Sequence, residues 1–253
     1  MRTRARWANV PSRGQNMILR DQEYSPAEGT SIWEFAHIMA ALQDPAAGFG
    51  LFEDFLKVPL DDTTGNPTGW RYQGTGNGQL VLPAGEVGGV IQVKSTGIDN
   101  SYAGIQLGAL NTFEPFVITN ASGKIFLAEF RIKAEQHADM GVFIGLAEAG
   151  SLAATFLAND TMVPADKDYI GFRIKADAGA EWDIAWKKAA QAEQEIANAV
   201  ANADDWHRFG IFFDGLNTVR FYVDRVLNAT TALTTAATFP GGEKMSPIVM
   251  VKT

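Results

Sequence analysis

Two carboxylates stand two residues apart in the segment Glu181-Trp182-Asp183. On a β-strand, alternate side chains point to the same face, so Glu181 and Asp183 would project together from one side of a sheet. Two carboxyl groups held about 5 Å apart can cleave a glycosidic bond with retention, one as nucleophile and the other as acid/base. This segment is therefore the first candidate for catalysis in the chain.

The residues that follow argue against this chemistry. The jelly-roll β-glucanases that cut laminarin and lichenan carry a Glu-x-Asp-x-(x)-Glu strand, and Glu181 and Asp183 resemble its first two positions. The third position is Ala185 or Trp186, so the acid/base that the resemblance implies is missing. We interpret the segment as an ordinary strand with both carboxylates facing outward. Its inward-facing side chains would be Trp182, Ile184 and Trp186.

Other catalytic groups are scarce. The chain has no cysteine, which excludes a thiol nucleophile, and no serine lies in a Gly-x-Ser-x-Gly turn. Its three histidines, His37, His137 and His207, lack metal-ligand spacing. His207 follows Trp206 at the start of a predicted strand, where we expect a hydrogen-bonded boundary residue rather than a base. The sequence thus predicts no catalytic residue, no bound metal and no enzymatic activity.

Acidic residues near predicted strand ends offer oxygens that suit calcium, which binds several loop carboxylates and carbonyls. Asp and Asn at such places also form turns, and this is the interpretation we favour, so no cofactor is expected and calcium is the alternative. The residues concerned are Asp99, Asn100, Asp160, Asp166, Asp168, Asp204 and Asp205.

Two aromatic residues, Trp70 and Tyr72, lie in a stretch rich in glycine, asparagine and threonine. We expect a surface loop there, interrupted by a short piece around Trp70-Arg71-Tyr72, whose exposed aromatic rings could stack on sugar rings and make a carbohydrate site. Burial in the core or in a subunit interface is the commoner fate of such residues.

The charge balance restricts the partners. A formal net charge of −8 argues against nucleic acid or an anionic membrane as partner, and no apolar run is long enough for a membrane span. The first twenty residues are the exception, because five arginines precede the first acidic residue, Asp21. They form a basic arm that docks on an acidic neighbour, a disordered tail, or vector or upstream sequence preceding a true start at Met17. The five are Arg2, Arg4, Arg6, Arg13 and Arg20.

A short helix is predicted over residues 31–43. Ser31 and Glu34 form a capping box, and Pro45 disfavours helix beyond Gln43. The apolar side chains of this helix need a partner, either the following domain or another subunit. We expect contacts from Ile32, Trp33, Phe35 and Met39. Residues 1–30 are thus an N-terminal arm, residues 31–48 a helix and linker, and residues 49–253 a β-domain.

From residue 49 onward the apolar pattern has a period of two. Phe126, Ala128, Phe130 and Ile132, for example, alternate with charged residues, as in a strand with one buried and one wet face. Ten or more such segments are joined by connections too short for crossover helices, which predicts an antiparallel, all-β, two-sheet sandwich. Residues 191–200 have helical composition, but their position between strands favours a strand.

Three motifs of the second half resemble the laminin-G and concanavalin-like jelly-roll module of tailed-bacteriophage virion proteins. They are Trp206-His207, Phe212-Phe213-Asp214-Gly215 and the run from Val219 to Asp224. The resemblance spans about residues 49–251. The sequence departs from this module at two points. Val223-Asp224-Arg225 lacks the usual glycine, and the chain ends after a strand where relatives add another. The sheet edge left open there would pair with the N-terminal segment or with a neighbouring chain.

The resemblance implies a non-enzymatic structural protein of a tailed-phage virion. We expect a cement or decoration protein at the capsid surface, where it bridges major capsid protein subunits as a homotrimer. The arm and helix would make the contacts. The alternative is a carbohydrate-binding module of a tail fibre or baseplate with a glycan as its partner, and a third hypothesis is an inactive relative of the glucanases.

Overall fold

The structure, a computed structural model, describes residues 69–75, 78–81, 83, 90–96, 98–108, 114–135, 140–153, 155–159, 161–175, 181–201 and 205–253. The predicted arm and helix lie outside these residues, and so do all of their expected contact residues, Arg2, Arg4, Arg6, Arg13, Ile32, Trp33, Phe35 and Met39. The regular elements of the described part are all β-strands, and this part contains no helix long and apolar enough to cross a membrane.

The strands of the described residues are numbered in chain order. They are β1 (Trp70–Thr75), β2 (Gln79–Val81), β3 (Gln92–Lys94), β4 (Tyr102–Leu107), β5 (Phe116–Val117), β6 (Phe126–Lys133), β7 (Gly141–Ala147), β8 (Tyr169–Ile174), β9 (Glu181–Lys187), β10 (Gln194–Ala201), β11 (Trp206–Phe213), β12 (Thr218–Val223), β13 (Val226–Leu233) and β14 (Lys244–Lys252).

Two antiparallel sheets form the sandwich. The eight-stranded sheet has the order β1-β4-β14-β7-β8-β9-β10, with β5 also paired to β14, and the four-stranded sheet has the order β13-β12-β11-β6. Strands β2 and β3 form a separate hairpin. This arrangement confirms the predicted antiparallel, all-β jelly-roll sandwich of the concanavalin-like kind.

The core lies between the two sheets and is rich in aromatic rings. Trp182 of the larger sheet lies 4.6 Å from Phe209 of the smaller one, and Trp186 stacks on Phe221 at 5.5 Å between ring centroids. Phe172 also stacks on Phe209 at 4.6 Å. These rings meet because the period-two pattern puts every second residue of β8, β9, β11 and β12 on the inner face. The predicted inward positions of Trp182, Ile184 and Trp186 are confirmed.

Residues 194–201 form the edge strand β10, which confirms the favoured interpretation over the helical one. Their helical composition is overridden by pairing with β9, where Ile196 lies opposite Ile184 and packs on the core. Tertiary contacts of this kind commonly outweigh intrinsic propensity.

The hairpin between β12 and β13 turns without glycine, as expected from Val223-Asp224-Arg225. Asp224 and Arg225 both have positive φ, 49° and 71° respectively, the sign that both central residues of a type I′ hairpin turn require. The Asp224 carboxylate holds the turn, because it accepts a hydrogen bond from the Arg208 backbone N–H at 2.9 Å and pairs with His207 Nδ1 at 2.7 Å. His207 is thus a buried, hydrogen-bonded boundary residue, as predicted.

The last strand does not leave the expected open edge. Strand β14 lies in the middle of the larger sheet and pairs along its length with β4 on one side and β7 on the other. The prediction of an edge at the chain end was therefore wrong, because the C-terminal strand returns to the sheet centre. Within the described part, the outermost strands are β1 and β10 in one sheet and β6 and β13 in the other.

Candidate functional site

The outer face of the larger sheet carries a group of charged side chains at β8, β9 and β10. Arg173 of β8 lies directly opposite Asp183 of β9. Glu195 of β10 lies opposite Ala185, which is two residues after Asp183 and on the same face of β9. Period-two geometry therefore brings these side chains to one side of the sheet. The group, called here the ion cluster, consists of Arg173, Lys175, Asp183, Glu193 and Glu195.

The guanidinium of Arg173 is the centre of the ion cluster. Its Nη2 donates to Glu195 Oε2 at 2.5 Å, its Nη1 donates to Glu193, and its Nε lies 4.0 Å from Asp183 Oδ2. Lys175 Nζ lies 2.7 Å from Glu195 Oε1 and 3.3 Å from Asp183 Oδ2. Arg173 is fully buried and Asp183 is 3% exposed. Buried charges need such partners, because an unpaired one is very costly to desolvate.

The cluster favours the ionised form of Glu195. Burial on its own would raise the pKa of Glu195, but the hydrogen bond from Lys175 and the positive charge of Arg173 outweigh it and lower that pKa. Burial on its own would lower the pKa of Lys175, but the hydrogen bond to Glu195 acts against it, and that pKa is raised. A general acid needs a pKa near the working pH. Glu195 in this arrangement is suited to binding cations and hydroxyl groups rather than to giving up a proton.

The rest of this outer face is covered by the connection between β7 and β8. Phe156 of that connection packs edge-on against Phe143 at 5.2 Å and against Tyr169 at 6.1 Å. Leu152 and Leu157 are buried beside it. Burial, reinforced by the negative charge of Glu193, raises the pKa of Tyr169 well above its ordinary value. The chain's own side chains therefore close the face over β14, β7 and β8.

A buried lysine ties this covering segment to the sheet. Lys252 of β14 is 2% exposed, and its ammonium donates to the Leu157 carbonyl at 2.8 Å and to Asn159 Oδ1 at 2.5 Å. The segment also approaches the sheet closely at Gly104, where an added Cβ would lie 2.7 Å from the Leu152 side chain. Both features show that the cover is packed onto the sheet.

These contacts correct part of the sequence interpretation. Alternation predicted the side of the sheet correctly for Asp183, but not its exposure, because the outer face is not wet there. Tyr169 and Arg173, on the same outer face, are fully buried as well. Of the two carboxylates of β9, Glu181 is half-exposed and Asp183 is buried. Sequence reasoning missed Glu193 and Glu195, although their spacing of two beside a strand carrying Asp183 was a usable signal.

Two of the acidic residues near strand ends accept hydrogen bonds from the turn that joins β9 and β10. Asp166 Oδ1 accepts the Ala190 N–H at 2.7 Å, and Asp168 Oδ1 accepts the Ala189 N–H at 3.0 Å. Burial raises the pKa of Asp168, and the nearby Glu148 carboxylate acts in the same direction. In the part of the chain that the structure describes, no three carboxylate or imidazole groups are grouped to hold a metal ion. Asp160 and Asp204 lie outside that part, and calcium stays a prediction.

The expected exposed aromatic loop is instead strand β1. Trp70 is buried, 6% exposed, against Ile105 and Leu107. Tyr72 is half-buried, and its hydroxyl donates to the Gly78 carbonyl at 2.5 Å. The loop assignment was wrong because both residues pair with β4, which turns their rings toward the core. The Trp70 ring offers no open face to a sugar, and sugar contact by Tyr72 stays a prediction.

No protein-family model matches this sequence, and no curated protein sequence matches it. Several solved structures are similar. The Bacillus licheniformis β-glucanase is 13% identical with a TM-score of 0.45 and covers 80% of this chain and 83% of its own. The Emp46p carbohydrate recognition domain in its potassium-bound form is 8% identical with a TM-score of 0.46, over 72% and 80% of the two chains. A carbohydrate esterase from the Shiga toxin-encoding bacteriophage phi24B is 17% identical with a TM-score of 0.41, over 73% and 88%.

The prediction that the chain is not an enzyme is corrected by these similarities. A glucanase and a carbohydrate esterase are among the structures of similar fold, so the sandwich gives no ground for excluding catalysis. For glucanase chemistry, the exclusion rested on the missing third carboxylate within β9. Strand β10 places Glu193 and Glu195 beside the same face, which an argument confined to residues 181–187 did not consider.

Proposed function

We propose that this chain is a structural protein of a tailed-phage virion, of the cement or decoration type. It binds major capsid protein subunits at the capsid surface and assembles as a homotrimer. The observation that carries the proposal is the closed outer face of the larger sheet, where Phe156 packs on Phe143 and Tyr169. A sandwich covered on that side by its own chain is a rigid block suited to being held between neighbours.

The sequence supports the same proposal independently of the sheet geometry. The motifs Trp206-His207 and Phe212-Phe213-Asp214-Gly215 resemble the virion module, and the arginine-rich arm precedes an acidic body. In this proposal the arm binds acidic capsid surface, while the sandwich stands outside the shell. Arg2, Arg4, Arg6 and Arg13 would make the electrostatic contacts of the arm, and Ile32, Trp33, Phe35 and Met39 the apolar ones.

Binding to particles tests this proposal directly. Purified protein is mixed with phage particles that lack it, and the bound amount and the disruption temperature of the particles are measured. We expect saturable binding and a higher disruption temperature, both reduced when Arg2, Arg4, Arg6 and Arg13 are all changed to Glu. Virions whose mass spectrum lacks the protein, or purified protein that stays monomeric and does not bind particles, would contradict the proposal.

A second candidate is a glycan-related role, as a binding module of a tail fibre or baseplate. The observation in its favour is that Glu181 is half-exposed and that the Glu193 and Glu195 side chains, 19% and 29% exposed, reach the surface of the ion cluster. Such carboxylates accept hydrogen bonds from sugar hydroxyls.

A glycan array separates the two candidates. Specific binding that is lost in Glu195→Gln favours the glycan role, and silence across the array favours the virion role alone. Release of reducing sugar from β-glucan, lost in Glu181→Gln, would add catalysis to the glycan role.

A further inference from the structure

The outer face of the four-stranded sheet is built from aromatic and cationic side chains. Alternation along β6, β11 and β12 turns these residues away from the core, and cross-strand pairing places them side by side. We call this surface the aromatic–arginine face. It consists of Arg131, Lys133, Trp206, Arg208, Phe212 and Arg220.

Two guanidinium groups lie over aromatic rings on this face. The Arg131 guanidinium lies 4.4 Å from the Trp206 ring centroid, and that of Arg220 lies 5.8 Å from the Phe212 ring centroid. Stacking holds the planar donors of arginine in place, where they can bind carboxylates with two hydrogen bonds. Tryptophan, tyrosine and arginine are also the residue types that contribute most to protein interfaces.

The face carries like charges at close quarters. Arg131 lies directly opposite Arg208 across the β6–β11 pair, an arrangement that destabilises a sheet when nothing binds to it. Arg208 and Arg220 remain accessible, with 40% and 36% of their side chains exposed. Glu129, 3.5 Å from Arg208, offsets part of this repulsion, and an acidic group bound at the face would offset more of it.

The carboxylates of the described residues near this face neutralise it only in part. Glu129 lies 3.5 Å from Arg208, and its side chain is 9% exposed. At the rim, Asp214 is 19% exposed and lies 3.9 Å from Arg220 while accepting three backbone N–H groups. Glu135 lies 3.5 Å from Lys133 but is 68% exposed, and an exposed ion pair of this length contributes little. Four cations of the face thus stand against three carboxylates among the described residues, which leaves a positive charge that a carboxylate-rich surface would complement.

The chain itself supplies such a surface. Five of its 21 cationic residues precede Asp21, the first acidic residue, so residues 21–253 hold 16 cations against 29 carboxylates, a net charge of −13. A second copy therefore meets the aromatic–arginine face with a predominantly acidic body. Two such faces placed against each other would repel, which excludes a twofold contact of this face with itself.

We infer that the aromatic–arginine face is a self-association surface that binds an acidic flank of a second copy of this chain. The contact is head-to-tail, and head-to-tail contacts close into rings such as a trimer. Exposed Leu227 and Leu233 on the neighbouring strand β13 extend the face with apolar area. The inference rests on the proposed homo-oligomer and identifies the surface that forms it. A sugar is a poorer occupant, because guanidinium groups already lie over the rings on which it would stack.

Sedimentation velocity on the full chain tests this inference. We expect the wild type to self-associate in low salt and to dissociate progressively as the salt concentration rises. The triple variant Arg131→Glu, Arg208→Glu and Arg220→Glu should weaken association by about a hundredfold or more, because it reverses three charges at the contact. A matched control, Lys94→Glu, Lys124→Glu and Lys244→Glu, makes the same change of net charge on exposed lysines outside the face and should weaken association far less.

A monomeric wild type, or equal weakening by both triple variants, would overturn the inference. Circular dichroism checks the fold of each variant. If the face variant does not fold, the single change Arg131→Gln, at an exposed position, replaces it, and association unaffected by this change would count against the face. Particle binding is measured separately, so loss of self-association with retained particle binding separates this inference from the proposed function.

Discussion

The outer faces of the two sheets differ in how far their charged side chains are buried and paired. On the larger sheet, Arg173 is paired with Glu193 and Glu195 and is fully buried, while Phe156 covers the neighbouring strands. On the smaller sheet, Arg131 and Arg208 stand opposite each other at an accessible surface. The same residue type is therefore neutralised on one face and left without full compensation on the other.

The difference shows what charge and burial reveal about a sheet face. A cluster in which every cation has a carboxylate within hydrogen-bond distance is complete in itself and stabilises the fold. A face with excess cations over aromatic rings is incomplete until something acidic binds. The predictions below test this distinction, beginning with the largest expected effect.

Replacing Arg173 should destabilise the fold most. Arg173→Met leaves the carboxylates of Asp183, Glu193 and Glu195 close together without their central cation, which should cost about 3–5 kcal/mol in the free energy of unfolding. Urea denaturation measures this loss of unfolding free energy. The matched change on the open face, Arg131→Met, should stay within about 0.5 kcal/mol. Similar losses for both variants would remove the distinction between the faces.

Removing an aromatic ring should separate the faces in the same way. Phe156→Ala leaves a cavity against Phe143 and Tyr169 and should cost about 3–5 kcal/mol. Phe212→Ala removes a half-buried ring from the open face and should cost roughly 1 kcal/mol. Thermal or urea unfolding compares the two, and a larger loss for Phe212→Ala would mean that the covering segment contributes little.

Asp214 should stabilise the turn at the rim of the open face. Its carboxylate accepts the backbone N–H groups of Leu216, Asn217 and Thr218 at 2.8–3.2 Å. Asp214→Ala should therefore cost about 1–2 kcal/mol, whereas Asp214→Asn, which keeps one acceptor oxygen, should cost less. Equal losses for the two variants would show that the turn does not depend on these bonds.

The pH dependence of stability should report on the ion cluster. The lowered pKa of Glu195 means that its ionised form is favoured in the folded state, so its contribution is present above the unfolded pKa of about 4.3 and is lost as the pH falls below it. Urea unfolding between neutral and acidic pH should show a shallower decline for Glu195→Gln than for the wild type. Identical slopes would mean that Glu195 is not stabilised by Lys175 and Arg173.

Much of the fold could be predicted from period-two alternation. Strand β9 turns Trp182, Ile184 and Trp186 inward as predicted, and β6 contains the predicted alternating run from Phe126 to Ile132. Strand β13 was missed, since Val226–Leu233 has no regular alternation and its register is interrupted by a bulge opposite Phe221. The position of β14 at the centre of the sheet depends on long-range pairing, which no local sequence pattern reveals.

The site was less predictable than the fold. Glu181 and Asp183 were recognised as carboxylates on one face, but the covering of that face comes from residues such as Phe156, some thirty positions away in sequence. The pairing of Arg173 with Glu193 likewise joins two strands that only the folded sheet brings together. The burial of Trp70 against β4 has the same origin, because a glycine-rich sequence context does not reveal strand pairing.

Hydroxyl-radical footprinting tests the contrast between the two faces most directly. Side-chain oxidation is measured by mass spectrometry in dilute protein and in concentrated or particle-bound protein. We predict that Trp206 and Phe212 react in dilute protein and become protected on association, while Phe156 and Tyr169 are protected in both. Unchanged oxidation of Trp206 and Phe212 on association, or ready oxidation of Phe156 in dilute protein, would contradict the account.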